Sequence, residues 1–320
     1  MSLAGREASV ACPDEIFGIV FNNRAHRNAR LGRIRGDTPP KAFHAAPETK
    51  LELDRTLALF AERRTTTLVI DGGDGTVSDV ISRIHRHFGD ALPRLALVPS
   101  GKTNALALDL GIPRDWTVRD ALQAAAQQSI ACRSPVEIRY EGEEKPRLRG
   151  FLFGAGAFRR ATALAQGVHR AGAFNGLAIG LSVAGAIGQT LFGSRQNAWR
   201  RGEPMLIDLP DCGRIERNFY LLMGSTLERL PLGLKPFGRV RGGLKLLGVD
   251  APPRSLALCV PGLLGGLEGE WLARRGYHRA DVDSVRLRLA SDFVLDGEVH
   301  GGGAVTISRG APVEFLVPPR

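Results

Sequence analysis

The chain has 320 residues, of which 43% are hydrophobic and 6% aromatic, and it carries a formal net charge of +10. That length suits two domains or one large one, and the basic balance favours polyanions: nucleic acid, an anionic membrane surface or nucleotide phosphates. No basic stripe interleaved with aromatics supports nucleic acid, and the separated Cys12, Cys132, Cys212 and Cys259 argue against a zinc ribbon or disulfide framework and fit a reduced cytosolic compartment.

In chain order, the first fifteen residues hold Arg6, Glu7, Asp14 and Glu15 and no apolar core segment, so no signal peptide is expected. Residues 16–21 read as a strand, 51–63 as a helix, 67–70 as a strand and 77–88 as a helix. A third strand over 95–98 and a helix over 104–110, stopped by Gly111 and Pro113, complete the series. Alternating β and α elements predict an α/β domain with a parallel sheet, and place ligands at the carboxyl ends of its strands. The turns at Asn22–Asn23, Gly72–Gly75 and Ser100–Thr103 are expected to share that edge. His85 and His87 are assigned to a solvated helix face.

After about residue 130 the pattern changes to short β-rich runs at 136–140, 151–153, 205–209, 219–223, 255–260, 285–289, 293–295 and 304–307, separated by Gly- and Pro-rich turns. These predict an antiparallel, β-rich sandwich. Between them, Ala171 to Ser194 is a run of 24 residues without a charge. Asn175, Ser182, Gln189 and Thr190 dilute it, so it is read as a buried helix, or one lining an apolar substrate mouth, and not as a membrane span.

The most informative stretch is Leu68-Val69-Ile70-Asp71-Gly72-Gly73-Asp74-Gly75-Thr76: an apolar strand, a glycine turn holding one carboxylate, then a helix. Glycines let a ligand approach the backbone closely, and the helix start behind them offers free N–H groups that suit phosphate. Asp74 would repel a phosphate unless a metal ion or a proton transfer gives it a purpose. The loop therefore points to Mg-nucleotide chemistry. A second turn, Pro99-Ser100-Gly101-Lys102-Thr103-Asn104-Ala105, contains Gly-Lys-Thr but leaves too few residues after the strand for a P-loop. It reads as a second strand-to-helix turn facing the same nucleotide, with Lys102 and Thr103 able to reach phosphate and Asn104 starting the helix. A third motif, Asp296-Gly297-Glu298, is by itself a common hairpin turn.

Together these motifs resemble the lipid kinase family of diacylglycerol, sphingosine and ceramide kinases, particularly its bacterial members. The resemblance runs through Gly72-Gly73-Asp74-Gly75-Thr76, the Pro99 to Ala107 segment and Leu110-Gly111-Ile112-Pro113. It continues in Thr226-Leu227-Glu228-Arg229-Leu230-Pro231-Leu232-Gly233 and ends at Asp296-Gly297-Glu298. It implies a nucleotide-binding catalytic domain over 1–130, a β-rich lipid domain over 131–303 and a C-terminal segment, 304–320, returning to the first domain. It also implies ATP and Mg2+ as cofactors, Asp74 as the catalytic carboxylate and a metal contact, and Glu298 as the partner carboxylate. Asn22, Gly72, Gly73, Gly75, Thr76, Gly101, Lys102, Thr103 and Asn104 become the nucleotide-contacting set.

Three departures stand out. The first loop reads Asn22-Asn23-Arg24-Ala25-His26 and keeps only the family's Asn. Lys102 and Ala105 replace a Thr and an Asp common in diacylglycerol kinases. The segment tied in bacterial members to a structural Mg2+ appears as Arg241-Gly242-Gly243-Leu244-Lys245-Leu246, without its two aspartates.

The expected activity is ATP-dependent phosphorylation of a hydroxyl on a membrane lipid: diacylglycerol, a sphingoid base or ceramide. Either Asp74 or Glu298 takes the hydroxyl proton while the other helps to organise the metal. The expected partners are the lipid substrate and an anionic leaflet, with cytoplasmic, peripheral attachment at roughly 1 kcal/mol per basic residue near the surface. Two alternatives are an NAD kinase-like phosphotransferase with a soluble acceptor and a non-catalytic nucleotide- or lipid-binding regulator.

Overall fold

The computed structural model describes residues 15–31, 42–162, 198–210, 213–239 and 242–319. The uncharged run at 171–194 lies outside the described residues, as do Cys12 and Cys212. Among the described residues, Cys132 and Cys259 are free thiols, and no helix is long and apolar enough to cross a membrane.

Among the described residues the first sheet has six strands: β1 (Phe17–Phe21), β2 (Ala42–Ala45), β3 (Thr67–Gly72), β4 (Arg94–Pro99), β5 (Ile130–Arg133) and β17 (Val313–Leu316). Their order is β2-β1-β3-β4-β17-β5. All neighbours are parallel except β17 and β5. Every residue of β3 is buried, as expected for a central strand covered on both faces.

Among the described residues five helices accompany this sheet: α1 (His26–Leu31), α2 (Lys50–Glu62), α3 (Asp74–Phe88), α4 (Ala105–Asp109) and α5 (Val118–Ala126). In α3, Val77, Val80, Ile81 and Ile84 recur at helical spacing and bury against the sheet. The Thr49 side chain caps α2 by accepting from the Glu52 N–H, and Thr117 with Asp120 forms a capping box on α5. His87 is not on a solvated face as expected: its Nε2 lies 3.1 Å from Asp54 Oδ1, because α3 packs along α2.

The second sheet is antiparallel and has eleven strands among the described residues. Its main path is β15 (Glu298–His300), β14 (Phe293–Leu295), β8 (Leu152–Gly156), β10 (Gly213–Ser225), β9 (Glu203–Leu209), β13 (Ser284–Leu289), β16 (Gly303–Arg309), β6 (Val136–Tyr140) and β7 (Leu148–Gly150). β11 (Leu244–Asp250) branches from β10 and carries β12 (Tyr277–Val282). It curls around a core that includes Ile138, Phe153, Leu287, Phe293 and Ile307. Its outer face over β10 to β12 carries a separate core, in which Cys259, Leu263 and Leu272 pack on Leu247 and Val249.

Residues 255–260, expected as a strand, are instead part of the helix Leu256–Leu264. Leu-Ala-Leu-Cys-Val alternates in side-chain size, but it lies over a sheet face already paired on both edges of β11, so it covers that face and adds no strand. The boundaries also differ from those expected at 130 and 303. β5 belongs to the first sheet, β16 stays in the second, and only Val313–Leu316 returns to the first, between β4 and β5.

The two sheets meet along α3. Ser78 Oγ donates to the Arg149 carbonyl at 2.7 Å, and the Arg149 N–H donates to Ser82 Oγ at 2.8 Å, so α3 lies against β7. Phe151 joins the first core and meets Phe315 edge-on at 6.2 Å. At the other end, Asp109 Oδ1 accepts the Arg229 N–H and Oδ2 accepts Arg133 Nε at 2.6 Å, tying the 226–233 segment to α4.

Candidate active site

The glycine turn forms because β3 must pass into α3 at the carboxyl edge of a crowded sheet. A β-carbon on Gly72 would lie 2.7 Å from Thr76 Oγ1. One on Gly101 would lie 2.5 Å from Gly73 Cα and 2.7 Å from Asn104 Oδ1. The two turns are therefore in backbone contact, and glycine is required at both points of approach. The Ser100 N–H donates to the Gly72 carbonyl at 2.9 Å, and Ser100 Oγ donates to Asp71 Oδ1. The first loop joins them: Asn28 Nδ2 reaches Asp71 Oδ1 at 2.8 Å, and Asn22 Nδ2 reaches Thr76 Oγ1 at 2.7 Å. All three turns share one edge.

Several residues of the nucleotide-contacting set are occupied in shaping these loops. Asn104 has a left-handed backbone (φ 52°), and its side chain both accepts from the Gly101 N–H and donates to the Gly101 carbonyl. Asn22 Oδ1 accepts the Arg24 N–H at 2.9 Å while its amide holds Thr76. Gly73, Gly75 and Thr76 line the start of α3, and Lys102 is exposed at the rim with Thr103 behind it.

Asp74 is the first residue of α3. Its Oδ1 accepts the Leu106 N–H at 3.4 Å, which points the carboxylate at the start of α4. Burial raises its pKa to about 6, against the opposing pull of the Leu106, Ala105 and Asn104 amides. Asp296, at φ 48°, turns the β14–β15 hairpin together with Gly297 at φ 87°. Its carboxylate accepts the Phe151 and Leu152 N–H groups at 3.0 and 2.8 Å. Burial and then the neighbouring Asp74 charge push its pKa up to about 7. Both residues keep some surface at the cleft while their carboxylates lie turned into protein.

That hairpin carries Glu298 across to the first sheet. A β-carbon on Gly75 would lie 3.2 Å from Glu298 Oε1, and Lys50 Nζ lies 3.2 Å from Glu298 Oε2 and 3.1 Å from Asp79 Oδ1. Burial, which lowers the Lys50 pKa, is outweighed by Asp79 and Glu298, and the net shift is upward. Asp74, Glu298, Asp296, Asp79 and Lys50 thus surround the head of α3. Lys50 and Asp71 had no sequence signal: each gains its meaning from a partner far away in the chain. Asp296 was visible only as one letter of a turn.

This arrangement fits Mg2+. The ion takes one or two protein carboxylates beside phosphate oxygens and water, and Asp74 and Glu298 supply that number next to free helix N–H groups. Among the described residues no cluster of three or more His, Cys, Asp or Glu forms an all-protein cage. The segment at Gly242–Leu246 does not fit a metal. Lys245 is 4% exposed, its Nζ has no hydrogen-bond partner among the described residues, and Leu246 packs in the core. Burial lowers the Lys245 pKa, against Asp109, Asp281 and Glu228.

Residues 34–133 match the diacylglycerol kinase catalytic domain family. Over 65 residues, 20% of each chain, the protein is 35% identical to "Probable lipid kinase YegS" of Shigella flexneri. Over 84 residues it is 39% identical to "Probable lipid kinase YegS-like" of Xanthomonas oryzae pv. oryzae, spanning 25% of this chain and 26% of that protein. The chain therefore matches about a fifth to a quarter of the length of these relatives. A crystal structure of a diacylglycerol kinase from Bacillus anthracis strain Sterne superposes with a TM-score of 0.66, covering 97% of this chain and 99% of that one at 15% identity. At that identity the likeness establishes a common fold across both sheets.

Proposed function

We propose that the chain, whose residues 34–133 match the diacylglycerol kinase catalytic domain family, is an ATP-dependent kinase that phosphorylates a hydroxyl of a membrane lipid of the diacylglycerol, sphingoid base or ceramide type. One observation carries the reading: the second sheet delivers Glu298 onto Gly75, beside Asp74, at the carboxyl edge of the parallel sheet. A kinase site needs converging carboxylates, free amides and a cation at one point, and the meeting of Glu298 and Lys50 at the head of α3 supports that reading.

The proposed chemistry follows from phosphoryl transfer. The lipid hydroxyl oxygen forms a bond to the γ-phosphorus as the bond to the ADP oxygen breaks, and the hydroxyl proton passes to a carboxylate. Asp74 is suited to that proton: its pKa of about 6 leaves it ionised at neutral pH yet basic enough to accept. Amides at the head of α3 and Lys102 at the rim hold phosphate oxygens. Asp74 and Glu298 would hold Mg2+, which when bound neutralises phosphate charge. Lys50 holds Glu298 in place through the contact at 3.2 Å. The basic surface favours work at an anionic leaflet on the cytoplasmic side.

The test is labelled-phosphate transfer from Mg-ATP to diacylglycerol, monoacylglycerol, sphingosine and ceramide in mixed micelles. The expected result is one labelled lipid that disappears in Asp74→Asn. ATP binding with no labelled lipid would overturn the reading in favour of a soluble acceptor or a non-catalytic role.

A further inference from the structure

Seven large hydrophobic side chains are prominently exposed among the described residues, and three of them, Leu232, Leu258 and Leu267, come from adjoining segments on the outer face of the second sheet. Leu258 sits on the helix Leu256–Leu264, whose sequence LALCVPGLL contains no charge. Leu256, Cys259 and Leu263 point into the core beneath, while Ala257, Leu258 and Pro261 face outward. Leu267 folds back on this helix: a β-carbon on Gly262 would lie 3.2 Å from Leu267 Cδ2 and 3.9 Å from Trp271 Cζ2. The Lys235 N–H donates to the Leu264 carbonyl at 2.8 Å, which brings the Pro231–Gly233 turn alongside.

Leu232 supplies an independent sign. It is 59% exposed and has a left-handed backbone at φ 61°, ψ 15°. A leucine there gains little from burial and bears a steric cost that glycine would avoid. Strain kept at an exposed apolar side chain points to something that side chain does. Lys235, Arg239, Arg254, Arg274 and Arg275 lie on the segments that carry or flank the three leucines; Arg239 and Arg274 pair with Glu268 and Glu270 at 3.9 and 2.6 Å, and the Arg275 guanidinium lies 5.1 Å from the Trp271 ring centre. Apolar tips within a rim of cations and an amphipathic aromatic match the layering of an anionic bilayer interface.

We propose that this surface inserts into an anionic membrane leaflet, with Leu232, Leu258 and Leu267 entering the acyl boundary and the basic rim against the headgroups. The proposal rests on the lipid kinase reading and names the face that reading requires. The geometry connects this face to the cleft: Leu230 packs on both the first core and the outer core, and the Arg229 N–H binds Asp109 at the end of α4, the helix whose Leu106 amide holds Asp74. A lipid hydroxyl could then approach Asp74 while its chains stay in the leaflet.

The test is co-sedimentation of the full chain with vesicles of phosphatidylcholine and of an equal mixture of phosphatidylcholine and phosphatidylglycerol. The wild type is expected to pellet with the mixed vesicles, and Leu258→Glu/Leu267→Glu to lower its partition at least tenfold. Leu59→Glu, on α2, should bind as wild type does. Leu232→Gly, which suits the left-handed backbone, should melt no lower than wild type and still bind less. Equal partition of the wild type and the double variant, or no wild-type binding, would overturn the inference. Because no ATP is present, binding is scored apart from catalysis. Phosphotransfer to a water-soluble short-chain lipid tests the kinase reading, and it should be unchanged in the double variant.

Discussion

Glu298 stands over Gly75, with its Oε1 3.2 Å from where a β-carbon on that glycine would be. The contact joins the last hairpin of the second sheet to the first turn of α3. Gly75 has ordinary right-handed geometry, so Gly75→Ala brings no backbone strain and even favours the helix, by roughly 0.5–1 kcal/mol. The added methyl would displace Glu298. Gly75→Ala is therefore expected to melt at or above the wild-type temperature while losing at least tenfold in phosphotransfer. Full activity in a stable variant would show that Glu298 need not sit where the structure places it.

Asp74→Asn keeps the side-chain volume and an acceptor for the Leu106 amide but removes the base. Turnover should fall by about 10²–10⁴. Circular dichroism and the melting curve should change little, since the substitution relieves a buried charge and breaks no core packing. A loss of less than tenfold would transfer the base role to Glu298.

The two raised carboxylates give stability a definite pH dependence. The Asp74 and Asp296 pKa values lie at about 6 and about 7, above the ordinary value of 3.8. Between these limits the folded chain holds more protons than the unfolded one, so stability falls as pH rises. The contribution is most favourable below pH 4 and is lost through about pH 6 to 7, on the order of a few kcal/mol in all. In chelator and without nucleotide, the difference in unfolding free energy between wild type and Asp296→Asn should widen from pH 5 to pH 8, to the variant's advantage. A constant difference would mean that Asp296 titrates normally.

Asp109 is 2% exposed and accepts from both Arg133 Nε and the Arg229 amide. Its removal leaves the part-buried Arg229 N–H without its acceptor and takes one partner from the Arg133 guanidinium, which keeps Glu228 and the Cys132 carbonyl. Asp109→Ala should cost about 1–3 kcal/mol in denaturant unfolding. Asp109→Asn, which keeps one acceptor, should cost less. Equal, small effects would indicate that the 226–233 segment is held by Leu227 and Leu230 alone.

Much of the first sheet could be read from residue order, because its signals are local. Apolar runs of strand length, helical spacing after Gly75 and the stop at Gly111 and Pro113 are set within a few residues of each other. The glycine turn with its single carboxylate likewise carried its chemistry in one stretch. Elsewhere local pattern was too weak: Leu256–Leu264 alternates like a strand, but a paired sheet beneath it made it a covering helix. The four residues Val313–Leu316 could not announce that they slot beside β4, since parallel pairing is decided by the gap they fill. The pairings of Lys50 with Glu298, Asp71 with Ser100 and Asp296 with Asp74 were also left to the tertiary structure. A charge in a sequence has no environment until folding decides what is desolvated beside it, and that environment turns a common hairpin turn into half of a site.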